Sequence, residues 1–172
     1  GLVGSEMCIR DSSHTESEHH VPANDPSAKL IILDRDGVIN VDSEAYIKSP
    51  QEWVPIPGSL QAIARLNQQG YRVAVATNQS GIARGLFDMK TLCAIHHKLH
   101  QSAQAAGARI DAIFYCPHTA DAQCDCRKPQ PGMLLSIGER FSVSLRNVPV
   151  VGDSLRDLQA AAEVGASPYL VR

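Results

Sequence analysis

Two carboxylates one residue apart close an apolar run. In LIILDRDGVIN, residues 30–40, Asp34 and Asp36 follow Leu30–Leu33 directly. Neighbouring acids repel, so they are an odd ending for a buried strand unless a cation or a substrate makes use of them. Polar residues also follow the later apolar runs. Thr77, Asn78, Gln79 and Ser80 come after the second, Arg127 and Lys128 after the third, and Gly152, Asp153 and, a turn later, Asp157 after the fourth. Carboxylates, a hydroxyl and a lysine are what phosphoryl transfer to a carboxylate requires. An aspartate attacks a phosphate dianion only when Mg²⁺ and a cation neutralise the repulsion, and hard oxygen ligands select Mg²⁺.

A second constellation lies in CPHTADAQCDC, residues 116–126. Cys116, His118, Cys124 and Cys126 supply three thiolates and an imidazole. Four such ligands complete the tetrahedron that Zn²⁺ prefers and leave no position open for water, so the expected site is structural. Unrelated reduced cysteines are the alternative, but ligand-type residues this dense have no packing rationale in a polar loop. Arg127 and Lys128 follow at once, so the zinc would orient that basic pair. Cys93 falls inside a helical pattern and reads as packing. His96 and His100 are four apart with no acid to complete a metal site, and are expected to be solvated or capping residues.

The elements that must carry these residues alternate. Apolar runs at 30–33, 71–77, 110–115, 148–151 and 168–171 read as strands. Between them, helical patterns cover 59–69, closed by Gly70, then a stretch capped by Asp88 and closed by Gly107, then 131–141 and 154–164. In the second helix Met89, Leu92, Ile95 and Leu99 are expected to share one buried face. Such alternation predicts an α/β fold, a Rossmann-like parallel sheet with helices on both faces. In open sheets of this kind ligands bind beyond the carboxyl ends of the strands, which is where the polar residues above fall.

With 172 residues, 44% of them hydrophobic, the chain suits one domain with a sizeable core. A net charge of −2 and an isoelectric point near 6.4 give no electrostatic case for nucleic acid or a membrane surface as partner. No run approaches the apolar length of a membrane span. With no basic-then-apolar leader, a cytoplasmic protein with reduced cysteines is expected, and a monomer. Residues 1–28 show no periodicity and read as a disordered or non-native leader; Cys8, His14, His19 and His20 fall there. The fold is expected in 29–172, which ends on a strand and so suggests truncation just past its last core element.

DRDGVIN, VATNQSG, RKPQPGM and VGDSLRD, in that order, resemble the four motifs of the haloacid dehalogenase superfamily of phosphatases. The resemblance covers residues 29–172 and implies a nucleophilic Asp34, with Asp36 as general acid and then base. It implies that Thr77 and Lys128 hold the phosphoryl oxygens, and that Asp153, the Asp34 carboxylate and the Asp36 backbone carbonyl bind Mg²⁺. Asp157 is left between metal ligation and holding Lys128. Only short segments separate the motifs, so no cap domain fits and specificity must come from Arg127 and from loops 40–47, with Asp42, and 78–84, with Asn78, Gln79, Ser80 and Arg84. The combination of no cap and a zinc loop is most similar to the branch that acts on phosphorylated sugars; a histidinol-phosphate phosphatase is the alternative. The five residues between His118 and Cys124 are fewer than in many relatives. A non-catalytic zinc-stabilised module is disfavoured because Asp34, Asp36, Lys128 and Asp153 are all present.

Overall fold

The computed structural model describes residues 29–171. The leader, with Cys8, His14, His19 and His20, lies outside the described residues. Five parallel strands, β1 (Leu30–Leu33), β2 (Arg72–Asn78), β3 (Ala112–Cys116), β4 (Pro149–Gly152) and β5 (Ser167–Leu170), form one sheet in the order β3-β2-β1-β4-β5. Four helices connect them: α1 (Ser59–Gln68), α2 (Met89–Ala105), α3 (Gly132–Phe141) and α4 (Leu155–Glu163).

Successive strand residues point to opposite faces, so each central strand supplies two cores. Ile31, Leu33, Val73, Val75 and Ile113 pack against Ile63 of α1 and Ile95 and Leu99 of α2. Leu30, Ile32, Ala74, Ala76 and Phe114 pack against Leu134 and Ile137 of α3 and Ala160 and Ala161 of α4. Burial on both faces accounts for the continuous apolar character of β1 and β3. None of the helices among the described residues is long and apolar enough to cross a membrane.

The sequence patterns located all five strands and four α-helices, with ends shifted by one or two residues, the range over which helix and strand termini fray, but not the short 3-10 helices Pro50–Glu52 and Ala120–Ala122. Asp88 caps α2 as expected, its Oδ1 accepting from the Thr91 amide at 2.9 Å. Two expectations for α2 need correction. Met89 is 36% exposed rather than core, because it begins the helix at the rim. His96 is fully buried, neither solvated nor a cap. It sits on the α1/α2 side of the sheet, where Arg35 reaches it.

Between β1 and α1 the chain forms a small flap. Val41 donates its amide to the Val54 carbonyl and Ile56 donates to Ile39, both at 2.9 Å. Lys98 of α2 anchors the far side, its Nζ donating to the Pro50 and Trp53 carbonyls at 2.7 and 2.8 Å. The flap brings residues 42–47 over the carboxyl ends of the strands, and no inserted cap domain lies among the described residues.

Candidate active site

The sheet order places β1 between β2 and β4, so the chain leaves β1 towards one edge and later returns to its other side. That reversal opens a crevice at the carboxyl ends. A cavity of about 210 Å³ fills it, lined by Asp34 and Asp36 after β1, Thr77 to Ser80 at the end of β2, Lys128, and Asp153 after β4.

At its floor lies a chain of charges. Lys128 Nζ is 3.2 Å from Asp34 Oδ1 and donates to Asp157 Oδ1 at 2.7 Å. Burial alone would strip the Lys128 proton, but the carboxylates of Asp34 and Asp157 outweigh it and raise its pKa above the usual lysine value. Asp157 is held below the carboxylate range: burial opposes this, and the Lys128 ammonium overcomes it. Its Oδ2 accepts from the Asp153 amide, the Ser154 amide and the Ser154 hydroxyl at 3.1, 3.1 and 2.9 Å. With both oxygens engaged in hydrogen bonds, Asp157 anchors Lys128 Nζ and the start of α4. Gly152 makes room for it, since a Cβ there would lie 2.1 Å from Asp157 Cβ.

Asp34 is pushed up to about 7, chiefly by burial, with Lys128 pulling the other way and Asp157, Asp36 and Asp153 adding repulsion. Asp153 is raised too, first by burial and then by Asp157 and Asp42. Oxygens of Asp34, Asp153 and Asp157 lie within 4.8 Å of one another. Crowded, partly desolvated carboxylates of this kind fit a hard divalent cation, which would relieve the repulsion that raises both. The backbone is shaped around them: at Gly37, where φ is +83°, a Cβ would lie 1.9 Å from Asp153 Oδ2.

Asp36 is gripped from three sides. Its Oδ1 accepts from Arg35 Nε at 2.8 Å and Asn40 Nδ2 at 2.9 Å, and its Oδ2 accepts from Gln79 Nε2 at 3.1 Å. Gln79 Nε2 also donates to Thr77 Oγ1 at 2.9 Å, so the Thr77 hydroxyl hydrogen remains available to a ligand. Asn78 clamps the lysine segment: its Oδ1 accepts the Lys128 amide at 3.0 Å and its Nδ2 donates to the Lys128 carbonyl at 3.3 Å.

Beside this centre, the Cys116, His118, Cys124 and Cys126 ligand atoms lie within 4.8 Å of one another. Cys116 Sγ is 3.7 Å from Cys124 Sγ, and His118 Nδ1 is 3.5 Å from the sulfurs of both Cys116 and Cys126. A tetrahedron with Zn–S bonds of ~2.3 Å has S–S edges of about 3.8 Å, which the Cys116–Cys124 distance matches; Cys126 Sγ, 3.0 Å from Cys116 Sγ, would have to move outwards to complete it. Burial pushes the Cys116 and Cys126 thiols up. A cation is therefore needed to hold these two as thiolates.

Comparison with known proteins bears on the same residues. The chain matches the haloacid dehalogenase-like hydrolase family over residues 27–165. The chain belongs to that family. It is 62% identical over 144 residues to the D-glycero-β-D-manno-heptose-1,7-bisphosphate 7-phosphatase of Bordetella bronchiseptica, covering 84% of this chain and 80% of that one. The enzyme of the same name from Pseudomonas putida is 58% identical over 84% of this chain and 82% of its own length. The crystal structure of the B. bronchiseptica D,D-heptose 1,7-bisphosphate phosphatase, complexed with magnesium and phosphate, superposes with a TM-score of 0.81 over 83% of this chain and 79% of that one. A haloacid dehalogenase-like phosphatase from Mesorhizobium loti, 35% identical, gives 0.77 over 87% and 75%. This chain is accordingly a phosphatase, and phosphatases of its family use a metal ion.

Within the haloacid dehalogenase-like frame, Asp34, Asp36, Asp42, Thr77, Asn78, Gln79, Ser80, Arg127, Lys128 and Asp153 all line the one cavity. Arg84 is the exception. It is exposed outside that lining, its Nε 3.5 Å from Ser80 Oγ. Four residues that were not singled out in the sequence belong to the site or its support, two of them, Asn40 and Tyr46, inside the loop 40–47 already expected to shape specificity. Arg35 and Asn40 are fully buried around Asp36, and Tyr46 and Arg156 line the cavity rim. The arginine enclosed by two aspartates in DRD was the available signal for Arg35. A second cavity, of about 450 Å³, adjoins the first, and Arg127 and Lys128 line both.

Proposed function

We propose that the chain removes the 7-phosphate of D-glycero-β-D-manno-heptose 1,7-bisphosphate through a phosphoaspartate at Asp34, a step towards the nucleotide-activated heptose of lipopolysaccharide. The 62% identity to the Bordetella enzyme over 144 residues carries the choice of substrate.

In the first half-reaction an Asp34 carboxylate oxygen attacks phosphorus and the bond to the sugar oxygen breaks. That oxygen takes a proton from Asp36. In the second, Asp36 removes a proton from water, whose oxygen attacks phosphorus; inorganic phosphate leaves and Asp34 is restored. Lys128 Nζ and the Thr77 hydroxyl hold the phosphoryl oxygens. Mg²⁺ held by Asp34, Asp153 and the Asp36 backbone carbonyl supplies the charge neutralisation that lets two anions meet. Cys116, His118, Cys124 and Cys126 would hold a structural Zn²⁺, which would steady Arg127 through its Nη1 hydrogen bond to the His118 carbonyl at 3.2 Å. Arg127 lines both cavities, which supports its engaging the sugar or its second phosphate.

Turnover of heptose 1,7-bisphosphate, heptose 7-phosphate and histidinol phosphate with saturating Mg²⁺ tests the reading. The bisphosphate is expected to lead in kcat/KM by at least ~10-fold, roughly one charge-assisted hydrogen bond. Preference for histidinol phosphate would overturn the heptose assignment.

A further inference from the structure

The mechanism asks Asp36 to give up a proton and then take one back, so one of its oxygens must be free to do so while the side chain is held still. The surroundings of Asp36 meet both needs. Its Oδ1 meets Arg35 Nε at 2.8 Å, Arg35 Nη2 at 2.7 Å and Asn40 Nδ2 at 2.9 Å. Two hydrogen bonds, from Arg35 Nε and Asn40 Nδ2, and the close guanidinium charge at Nη2 occupy that oxygen and concentrate the negative charge on it. Oδ2 meets only the Gln79 amide, at 3.1 Å, among the described residues, and Asp36 lines the cavity.

Arg35 is itself fixed from behind. It is fully buried, and its Nη1 lies 3.1 Å from Nε2 of His96, sixty-one residues away on α2. A guanidinium can only donate, so Nε2 must accept and the imidazole must be neutral, with its hydrogen on Nδ1. That Nδ1 is buried without a hydrogen-bond partner. A buried, unpaired N–H is a cost, and the contact of Nε2 with Arg35 is the polar interaction that His96 makes in return. The imidazole is therefore placed for what Nε2 does to Arg35.

We propose that His96 and Arg35 are positioning residues for the acid and base chemistry of Asp36: His96 orients the Arg35 fork, the fork occupies Oδ1, and the proton is exchanged through Oδ2 alone. The inference rests on the acid role given to Asp36 above. It does not depend on which sugar is the substrate.

The test uses aryl phosphates graded from p-nitrophenyl to p-methoxyphenyl phosphate, because kcat/KM reports the half-reaction in which the leaving group departs. An acidic phenol departs without help, whereas a weakly acidic one needs the proton. Asp36→Asn should steepen the dependence of kcat/KM on leaving-group acidity. His96→Leu should steepen it in the same sense, with a loss of at least ~10-fold on p-methoxyphenyl phosphate and under ~3-fold on p-nitrophenyl phosphate. His96→Gln, whose carbonyl oxygen can accept from Arg35, should recover most of that loss. Arg35→Lys keeps the charge but loses the fork, and gives the same readout if His96→Leu does not fold. Equal losses across the series in the His96 and Arg35 variants, or none, would overturn the proposal while leaving the phosphatase reading intact. An unchanged slope in Asp36→Asn would overturn the acid role of Asp36 and this inference with it.

Discussion

Asp34 is asked to be both a buried carboxylate and a charged nucleophile, and its neighbours show how the two are reconciled. Burial drives its pKa up to about 7, and the Lys128 ammonium at 3.2 Å opposes that. Asp34→Asn keeps the shape and removes the attacking charge, so kcat should fall by at least ~10³-fold in a steady-state assay while the thermal midpoint holds. Lys128 serves the fold as well as the reaction. Lys128→Met leaves Asp34 and Asp157 buried without their cation, and denaturant unfolding should show a loss of roughly 3–5 kcal/mol. His96 adds a pH dependence. Burial first, then Arg35 and His100, hold its pKa well below 6.5. The unfolded chain takes up a proton near pH 6.5 while native His96 does not, so stability must fall as pH drops below that value. Relative to His96→Gln, the wild-type protein should lose up to about 1.4 kcal/mol more per pH unit there, measured by urea unfolding at several pH values. The acids and Lys128 were legible in the sequence because charge at the end of a buried apolar run is costly unless a ligand or a partner charge uses it. His96 was not, since its partner Arg35 is distant in sequence and nothing local distinguishes a buried imidazole from a capping one.

At the scale of elements, the reading from periodicity succeeded because β1, β2 and β3 are buried on both faces and the helices on one, which leaves strong apolar patterns. The flap was illegible: its pairing of 39–41 with 54–56 is a few backbone bonds in a polar stretch. The turn after β1 depends on one glycine. Gly37→Ala would strain a positive φ and drive a Cβ into Asp153 Oδ2, so activity should fall more steeply than stability, with Mg²⁺ affinity as the discriminating measurement. The Cys/His loop, by contrast, could be read as a ligand set from spacing alone, and its four ligand atoms lie within 4.8 Å of one another. Gly132, where a Cβ would lie 2.3 Å from the Asp125 carbonyl, seats α3 directly against it. Elemental analysis should find about one zinc per chain. Cys124→Ser should lower zinc content and the thermal midpoint together; unchanged values of both would remove the site.

For the molecule as a whole, the sheet order decides where chemistry occurs and the lack of an inserted cap among the described residues decides how substrate is chosen. With no such cap over the ligand, recognition must rest on charge at the cavity rim. Arg127 is fixed there: it follows Cys126 in the chain, its Nη1 is tied to the His118 carbonyl, and it borders both the cavity of Asp34 and the larger one beside it. Arg84 lies outside that lining, exposed beside Ser80. If Lys128 and Thr77 grip the phosphoryl group being removed, Arg127 meets the far end of a sugar bisphosphate with a planar fork of donors. Arg127→Ala should therefore lower kcat/KM for heptose 1,7-bisphosphate by ~10-fold or more and for heptose 7-phosphate by much less, so that the ratio between them shrinks. Equal losses on both substrates would instead assign Arg127 to the transferred phosphoryl group, and selectivity would then belong to the remaining rim cation, Arg156, whose replacement by alanine should shrink the same ratio.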